Sequence, residues 1–462
     1  MSKKNSASFH LAGSNQLSLA ALFAEKSSLI EKWFHEQWEK NPPPITSSVD
    51  LRNADFKLAP VDTNLFPAGF NNLDADAFSV AVEAVKTTLR DHLFTNPSLL
   101  LIVESHTRNF FYFRSVHHLV TILEKAGFDV RIGSLDPTLE IPRHVSLAEP
   151  EQINQTLPKT DRTDNLESLT NKRSTYETKQ LLLEPFKRID DRLYVSEFEP
   201  AFILLNNDLS SGIPPILQGL SQPVYPDIRL GWASRLKSTH FHCFNQVSSN
   251  FAELLGIDSW HINPYFEAVE NLDFMTQHGI ENLAEKSQQI LDSIQKKYKE
   301  YNIRNVPFVM IKADNGTYGM SVMSIRSGEE VFHLNRKKRS HMTAIKGGKK
   351  VDRVIIQEGV YTLDKMADGA VAEPVIYMIG QYVIGGFYRL HHNRQADENL
   401  NSPGMKFQPL SLYEIYSEKQ AAFAENTKVV SSSLSETSRL YSYGVVARLA
   451  ALAAAKEMLA LR

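Results

Sequence analysis

The sequence predicts a mixed α/β fold, of the α/β or α+β class, whose first half contains an open α/β sheet. Residues 99–104 form an apolar run that ends at Glu104, residues 113–126 carry apolar side chains at helical spacing, and residues 128–132 alternate as a strand does. This order predicts a βαβ unit. Residues 201–206 add a buried strand with polar residues at its carboxyl end, where open α/β sheets bind ligands. A second strand-rich region begins at Pro307.

The other elements follow from the same periodicities. Residues 17–38 predict one helix, which stops before the Asn-Pro-Pro-Pro segment at 41–44. Residues 149–192 are polar and predict an excursion from the sheet at about 150–192. Residues 282–301 predict a charged amphipathic helix. The remaining predicted elements are strands at 307–312, 321–325, 354–358, 371–378 and 382–388, and helices at 411–425 and 433–460.

Composition excludes several classes of protein. The 462 residues are 42% hydrophobic and 22% charged, as in an ordinary globular chain of several domains. The net charge of -3 provides no overall attraction to nucleic acid or to an anionic membrane. Eight basic residues lie between Arg336 and Arg353, and they form either a local nucleic-acid patch or a solvated loop near phosphates. The loop is favoured because no aromatic residues alternate with the basic ones. We therefore expect no nucleic-acid and no membrane partner.

The single cysteine, Cys243, cannot form an internal disulfide, so we expect a reducing cytoplasmic setting. His240 and His242 beside it are metal ligands or part of a half-buried structural pattern, and the second reading is favoured. Common phosphate-loop, dinucleotide, nucleophile-elbow and zinc motifs are missing from the sequence. The terminal helical segment 440–461 is apolar enough to pack on its own core or on a neighbour, which leaves a homo-oligomer open.

The strongest motif is a strand that ends at Lys312 and is followed by a polar loop with Gly316 and Gly319. Glycines let a backbone bend around an anion, and the lysine and loop N–H groups can donate to phosphate oxygens. The alternative is an ordinary Asn-Gly turn. About forty residues later a strand ends at Gln357 and Glu358, followed by Gly359 and Val360, and this combination can supply an apolar slot and polar edge for adenine.

Candidate magnesium ligands come next. Glu373 lies on a strand, Arg389 follows on another, and an acidic and amide cluster contains Glu398, Asn399 and Asn401. Carboxylate and amide oxygens suit magnesium bound to nucleotide phosphates. Which members of the 398–401 cluster hold metal stays open, and we name Glu373, Glu398 and Asn401 as the expected ligands.

In this order the motifs resemble those of ATP-grasp ligases over residues 235–405. The resemblance implies ATP binding by Gln357, Glu358, Val360 and the flap residues Gly316, Tyr318 and Gly319, with Lys312. The upstream phosphate-binding lysine of that fold is Lys237 or Lys179. The resemblance also implies three regions: an N-terminal α/β substrate-binding domain at 1–230, an ATP-grasp-like region at 231–410, and C-terminal helices at 411–462.

A narrower match covers most of the chain. The stretches SSVDLRNADFKLAPVDTNLFPAGFNNL, ESHTRNFFYF, LLNNDLSSGIP and KADNGTYGM resemble the proteobacterial glutamate-cysteine ligase family with an ATP-grasp-like nucleotide site. The resemblance implies ATP- and Mg²⁺-dependent ligation of the glutamate side-chain carboxylate to the cysteine amine, the first step of glutathione biosynthesis. Lys312 and Arg389 are then the expected catalytic cations. The alternatives are a carboxylate-amine ligase with other amino acid substrates and a nucleotide-binding regulator without catalysis.

The polar segment between residues 50 and 72 is dense enough in fixed polar groups to bind an amino acid. Arg52 or Lys57 would pair with a substrate carboxylate, and Asp62 with its ammonium group. The alternative is a solvated loop that caps the sheet. A second group of polar residues, Glu104, His106, Arg108 and Asn109, follows a buried strand. The full expected substrate-binding set in the first segment is Arg52, Asn53, Lys57, Asp62, Asn64 and Asn71.

Overall fold

A five-stranded antiparallel sheet joins the two ends of the chain. The computed structural model describes residues 18–105, 109–147, 180–316, 321–343, 351–412 and 434–461. In sheet order β17-β16-β15-β1-β2, the first hairpin of the chain pairs with a late one. The five strands are β1 (Thr46–Asn53), β2 (Leu58–Asn64), β15 (Val371–Ile379), β16 (Tyr382–His391) and β17 (Lys406–Leu410).

Tight turning between β15 and β16 depends on Gly380. Its φ of +56° is in the left-handed region, and a Cβ there would lie 2.2 Å from the Thr88 hydroxyl. Every residue of β15 is buried, so both faces of the sheet are covered.

One face of this sheet is covered by helices from both ends of the chain. The last helix is buried almost all round, as its Ala-rich and Leu-rich sequence requires, because such a helix has no polar face to present to water. The apolar core here joins the terminal helix to three others and to the sheet. These helices are α1 (Leu19–Glu25), α2 (Ser27–Lys40), α6 (Lys237–Leu255) and α9 (Leu434–Leu459).

The other face packs against a parallel sheet and its helices. The strand order β10-β9-β3-β4 is parallel throughout, so the predicted βαβ unit is confirmed. The carboxyl ends of these strands face one edge, where loops collect polar residues. The elements are β3 (Ser98–Val103), β4 (Asp129–Ser134), β9 (Phe202–Leu205), β10 (Val224–Tyr225), α3 (Ala75–Thr88), α4 (Arg90–Thr95) and α5 (Phe110–Ala126).

A third sheet, of order β11-β14-β12-β13, packs against a long amphipathic helix. This arrangement confirms the strand-rich region expected after Pro307. Its elements are β11 (Phe266–Val269), α7 (Ile280–Glu300), β12 (Val309–Ala313), β13 (Val322–Ile325), α8 (Arg336–Met342) and β14 (Val354–Glu358). Two small ribbons, β5 (Arg143–Ser146) with β6 (Gln180–Leu183) and β7 (Lys187–Ile189) with β8 (Arg192–Tyr194), and short 3-10 turns complete the fold.

The predicted mixed α/β fold is confirmed, three local predictions are corrected, and one alternative is excluded. The helix predicted at 17–38 is two helices in the described residues, at 19–25 and 27–40, because the helix is interrupted at Lys26. The segment at 50–72 is not a solvated loop: much of it is β1 and β2, held by neighbours on both sides. The end of the predicted excursion, from residue 180, forms strands. The stretch with His240 and His242 lies on α6, so its pattern is helical and not alternating.

Two further expectations concern the end of the chain. The terminal helix packs into the protein's own core, with residues 441–455 buried there. The helix predicted at 411–425 lies almost wholly outside the described residues. The five-stranded sheet draws strands from both the 1–230 and the 231–410 segments, so the two predicted domains share one sheet. Among the described residues, no helix is long and apolar enough to cross a membrane.

A buried ion pair fastens the terminal helix to the rest of the molecule. Arg235 donates through Nε and Nη2 to the two Glu457 oxygens, each at 2.9 Å, and His240 Nδ1 lies 3.3 Å from the same carboxylate. Burial alone would raise the pKa of Glu457, but Arg235 and His240 lower it to about 2. Arg235 also donates to the Thr63 carbonyl, so the pair supports the strand that carries Asp62.

We expect Glu457→Gln to lower the free energy of unfolding at pH 7 by about 3 kcal/mol, because it leaves a buried guanidinium without its counter-ion. A depressed carboxyl pKa stabilises the fold above the ordinary pKa of 4.5, and this stabilisation is lost as the pH falls toward about 2. The difference in unfolding free energy between the unmodified protein and Glu457→Gln should therefore become smaller as the pH falls from 4.5 to 2. Urea unfolding at several pH values measures it, with exposed Glu36→Gln as control. A gap that is unchanged at low pH would contradict this account.

Candidate active site

Two aspartates face each other at the centre of the site. The β1–β2 register places Asp50 directly opposite Asp62, and Asp50 also pairs with Val375 on its other side. Side chains at opposite positions of an antiparallel pair lie on the same face of the sheet. Burial, with Glu373 nearby, raises the pKa of Asp50 although Arg389 opposes the rise. Asp62 differs: burial alone would raise its pKa, but Lys237, Lys312 and Arg235 together lower it.

A buried network of Arg52, Arg389 and Glu373 lies beside this pair and contacts it at Asp50. The β15–β16 register sets Glu373 opposite Arg389, and Arg389 Nη1 donates to Glu373 Oε1 at 2.5 Å and to Asp50 Oδ2 at 2.8 Å. Arg52 Nε donates to Glu373 Oε2 at 2.9 Å. Burial alone would raise the pKa of Glu373, but the two guanidinium groups outweigh it and lower the pKa. The Arg389 Nε atom is buried and has no hydrogen-bond partner among the described residues.

Lys312 lies where β12 approaches β2. Its ammonium donates to the Gln357 side-chain oxygen at 2.7 Å and to the Val61 carbonyl at 2.9 Å. Burial lowers the pKa of Lys312 to about 8, although Asp62 acts in the opposite direction.

Lys237, the first residue of α6, approaches the Asp62 carboxylate. Its Nζ lies 3.6 Å from Asp62 Oδ1, donates to the Gly316 carbonyl at 3.0 Å, and sits 3.7 Å from the centre of the Trp232 ring. Asp314 fixes the start of the helix by accepting from the Ser238 backbone and hydroxyl, both at 2.7 Å. Burial lowers the pKa of Lys237 as well.

These groups line two adjoining cavities. The smaller, of about 90 Å³, is bounded by Lys237, Lys312, Gly316, Gln357, Val360 and Glu373 among others. The larger, of about 1360 Å³, extends to the carboxyl edge of the parallel sheet. Four residues line both cavities, namely Asp50, Asp62, Arg389 and Asn401, and we call them the junction. The junction joins the predicted nucleotide residues to a separate polar chamber.

The structure places most of the predicted ATP-binding residues together. Lys237, Lys312, Gly316, Gln357, Glu358 and Val360 all line the smaller cavity. Gly316 has a φ of +97°, which supports the expected bend before the flap. Glu358 is engaged on its far side, where its carboxylate accepts from Trp260 and Lys57 at 3.0 and 2.9 Å. Tyr318, Gly319 and Lys179 lie outside the described residues.

The predicted substrate-binding residues separate into two groups. Asp62, Asn64 and Asn71 line the larger cavity. The other three do not: Arg52 lines only the smaller cavity, and Asn53 and Lys57 line neither.

The contacts of those three residues explain their position. Arg52 donates to the Glu373 carboxylate and to the backbone carbonyls of residues 360, 396 and 398. Lys57 is 1% exposed and forms a buried ion pair with Glu358. Asn53 donates to the Tyr443 hydroxyl at 3.1 Å. All three therefore hold the scaffold around the site.

The predicted metal ligands also separate. Glu373 lines the smaller cavity and Asn401 lines both, but Glu398 lines neither. The Glu398 carboxylate accepts from Arg394 and from the Gln395 backbone, at 3.1 and 2.8 Å. Among the described residues, no group of three His, Cys, Asp or Glu side chains is placed to hold a metal alone. The junction nevertheless fits Mg²⁺, which commonly takes one or two carboxylates and completes its shell with water and substrate phosphates.

Several residues of the site are not among those predicted from the sequence. The role of Asp50 depends on pairing with Asp62 and Arg389, 12 and 339 positions away, which no local pattern reveals. Asn206, Asn207 and Asp208 line the larger cavity, and their position after a buried strand was the available signal. Of the second polar group, Glu104 and Asn109 line this cavity, whereas His106 and Arg108 lie outside the described residues.

Comparison with known proteins identifies the chain as a ligase. The model of the glutamate-cysteine ligase family matches residues 21–174 and 160–458. A crystal structure described as "Putative gamma-glutamylcysteine synthetase" from Methylobacillus flagellatus KT is 44% identical, covers 96% of each chain and superposes with a TM-score of 0.80. The chain belongs to the glutamate-cysteine ligase family, as the sequence resemblance predicted. A search of curated proteins gave no match.

Two more distant structures were also found. A glutathione synthetase-like effector from Globodera pallida is 10% identical, with a TM-score of 0.36 over 84% of this chain and 82% of its own. D-alanyl-alanine synthetase A from Vibrio cholerae is 9% identical, with a TM-score of 0.31 over 72% and 80%. These values are too low to define a shared fold.

Proposed function

We propose that the protein uses ATP to join the side-chain carboxylate of L-glutamate to the amine of L-cysteine, giving γ-glutamylcysteine, ADP and phosphate. The observation that carries the proposal is the junction, where a cavity with two lysines meets a polar chamber. Membership of the family supports the choice of substrates. In this proposal ATP occupies the smaller cavity in an ATP-grasp-like manner, and the amino acids occupy the larger one.

The nucleotide side has the required chemistry but little space. At about 90 Å³ the smaller cavity is far below the roughly 300–1,000 Å³ of typical ligand pockets, so ATP binding requires its walls to part. The hydrogen bonds of Lys312 to Gln357 and Val61 cross this space, and a phosphate would replace them. The adenine edge would meet the Gln357 amide nitrogen, which is buried without a partner among the described residues.

The reaction itself needs charge control more than covalent help from the protein. A glutamate carboxylate oxygen attacks the γ-phosphorus and ADP leaves, which gives an acyl phosphate. The cysteine nitrogen then attacks the carbonyl carbon, phosphate departs with the bonding electrons, and the nitrogen loses its proton. Lys312 and Lys237 hold phosphate oxygens, while Arg389 faces the charge that builds up at the junction.

Magnesium would be held at the junction by Asp50, Asp62 and Asn401, with Glu373 behind them. When bound, Mg²⁺ neutralises phosphate charge and orients the phosphates. This set differs from the sequence expectation by replacing Glu398 with two aspartates.

The test is ADP release with Mg-ATP, glutamate and cysteine, omitting each component in turn, with mass spectrometry of the product. The proposal expects release that requires both amino acids and a γ-linked dipeptide. Release with another pair of substrates would overturn the substrate assignment and keep a carboxylate-amine ligase. Tight ATP binding without any turnover would favour a regulator.

Lys312 should also make ATP binding depend on pH. Because its pKa is lowered to about 8, the ammonium is present at pH 7 and is largely lost by pH 9. We expect the Kd for Mg-ATP to rise about tenfold over this interval, because the protonated fraction of a group with a pKa of 8 falls about tenfold. Calorimetric titration measures it, and Lys312→Arg should flatten the profile because arginine stays charged. An equally steep profile in the variant would assign the effect to another group.

A further inference from the structure

We propose that the part of the larger cavity outside the junction binds the α-ammonium and α-carboxylate of glutamate, and thereby selects the side-chain carboxylate for reaction. This inference rests on the proposed function. The wall concerned is formed by Glu104, Arg114, Asp208 and Trp232, and we call it the amino-acid wall. All four residues line the larger cavity and none lines the smaller one.

The two acids of this wall are linked to each other and to the end of the parallel sheet. Glu104 follows β3, and its Oε1 accepts from the Asp208 backbone N–H at 3.1 Å. The Tyr112 hydroxyl donates to the Asn206 side-chain oxygen at 3.0 Å and accepts from the Glu104 N–H at 2.9 Å, which ties both strand ends to α5. Asp208 is 6% exposed, so its carboxylate is held in place before a substrate binds.

The chemistry of the reaction decides which amino acid such acids serve. The cysteine nitrogen becomes the amide nitrogen, so it must lose its charge and reach the acyl phosphate at the junction. The glutamate nitrogen takes no part and keeps its positive charge throughout. Two carboxylates on a wall away from the junction therefore suit the glutamate ammonium, which can pair with them at every step.

Donors for the glutamate α-carboxylate are present on the same wall. The Arg114 guanidinium projects from the second turn of α5, in stacking contact with Phe110. The Trp232 indole N–H is buried, and it has no hydrogen-bond partner in the described parts of the chain. A buried donor without an acceptor is costly, and a carboxylate oxygen in the adjacent cavity would satisfy it.

Trp232 also connects this wall with the nucleotide side. Its ring lies against Lys237, its backbone N–H donates to the Asp208 carbonyl at 2.9 Å, and its backbone carbonyl accepts from the Gly316 N–H at 3.1 Å. With both α groups of glutamate fixed here, the carboxylate that extends to the junction is that of the side chain. The wall therefore determines that the product is γ-linked.

The experiment compares Glu104→Gln and Asp208→Asn with the full-length protein. Both changes keep the side-chain oxygen that accepts a backbone N–H, so they remove charge and little else. We expect the glutamate KM to rise at least tenfold in each variant, while the KM values of cysteine and ATP stay within twofold. Discrimination between glutamate and glutarate, which lacks the ammonium, should fall by the same factor. A matched control is Glu184→Gln, a half-buried acid near Arg131 that lines neither cavity.

A second variant tests the donor side. Trp232→Phe removes the indole N–H and keeps a ring beside Lys237, so we expect a higher glutamate KM and an unchanged ATP KM. A rise in the cysteine KM with no change for glutamate, or unchanged discrimination against glutarate, would overturn the inference. If the unmodified protein does not release ADP with glutamate and cysteine, the proposed function fails instead. Calorimetric binding of glutamate to each folded variant separates the two failures.

Discussion

Lys312→Met is expected to reduce ATP turnover by about 10²- to 10³-fold, the cost of removing one preorganised charge donor from a transition state. The methionine keeps most of the apolar stem, and the lost ammonium contacts one side-chain oxygen and one carbonyl in the smaller cavity. Those two acceptors can be hydrated from the cavity, so we expect the fold to survive. The measurement is ADP release at saturating substrates, with circular dichroism as the check on folding.

Lys286→Met is the matched control for this change. Lys286 is also partly buried and pairs with Glu267 at 3.1 Å, but it lines neither cavity. Its loss should leave turnover within twofold of normal, because half-exposed ion pairs contribute little. Near-normal turnover in Lys312→Met would remove Lys312 from the site, and equal losses in both variants would point to a general effect on the fold.

The parallel sheet could be predicted because its signals are local. Residues 99–103 are apolar without interruption, as required for a strand covered on both faces, and Gly127 ends the following helix in the left-handed conformation. The prediction of β14 at 354–358 agrees with the structure to the residue. In each case the information lies within one element and its flanks.

In the five-stranded sheet, the strands predicted at 371–378 and 382–388 are present, but β1 and β2 could not be predicted in the same way. β1 is mostly polar, with Val49 and Leu51 as its apolar residues, and its Asp and Asn are types that are depleted in strands. It is a strand because β2 pairs with its residues 48–53, and β15, more than 300 residues later, pairs with residues 46–50. No periodicity within the segment reveals that partner. Together with the β1–β2 pairing, the β1–β15 pairing converts a run of polar residues into the site, since Asp50 then lies beside Asp62 and Arg389.

In the candidate site too, residues with local sequence signals could be predicted and contacts between distant segments could not. Lys312 and Gln357 were identified by the strands that they end, and they meet in the structure. Arg52 and Lys57 were expected to bind substrate because they are cations in a polar segment. Both instead neutralise buried acids, Glu373 and Glu358, whose burial the sequence does not disclose. Charge type can be inferred from sequence, but the partner of a buried charge depends on the fold.

Arg389→Met is expected to impair both stability and catalysis, and the two effects can be separated. The change leaves buried Glu373 and partly buried Asp50 without a shared cation, and breaking a buried ion pair costs about 3–5 kcal/mol. Burial already raises the pKa of Asp50, so protonation should relieve the repulsion. The loss in unfolding free energy should therefore be largest near pH 8 and smaller near pH 5, as measured by urea unfolding.

The double variant Arg389→Met, Glu373→Gln distinguishes charge from packing. Removing one of the two acids should recover part of the lost stability, because only Asp50 then remains without the arginine, and Arg52 keeps the amide oxygen as an acceptor. Catalysis should stay at least 10²-fold reduced, since no cation has returned to the junction. If the second change restores no stability, the single variant fails through lost packing. If it restores turnover, Arg389 serves only to balance Glu373 and takes no direct part in the reaction.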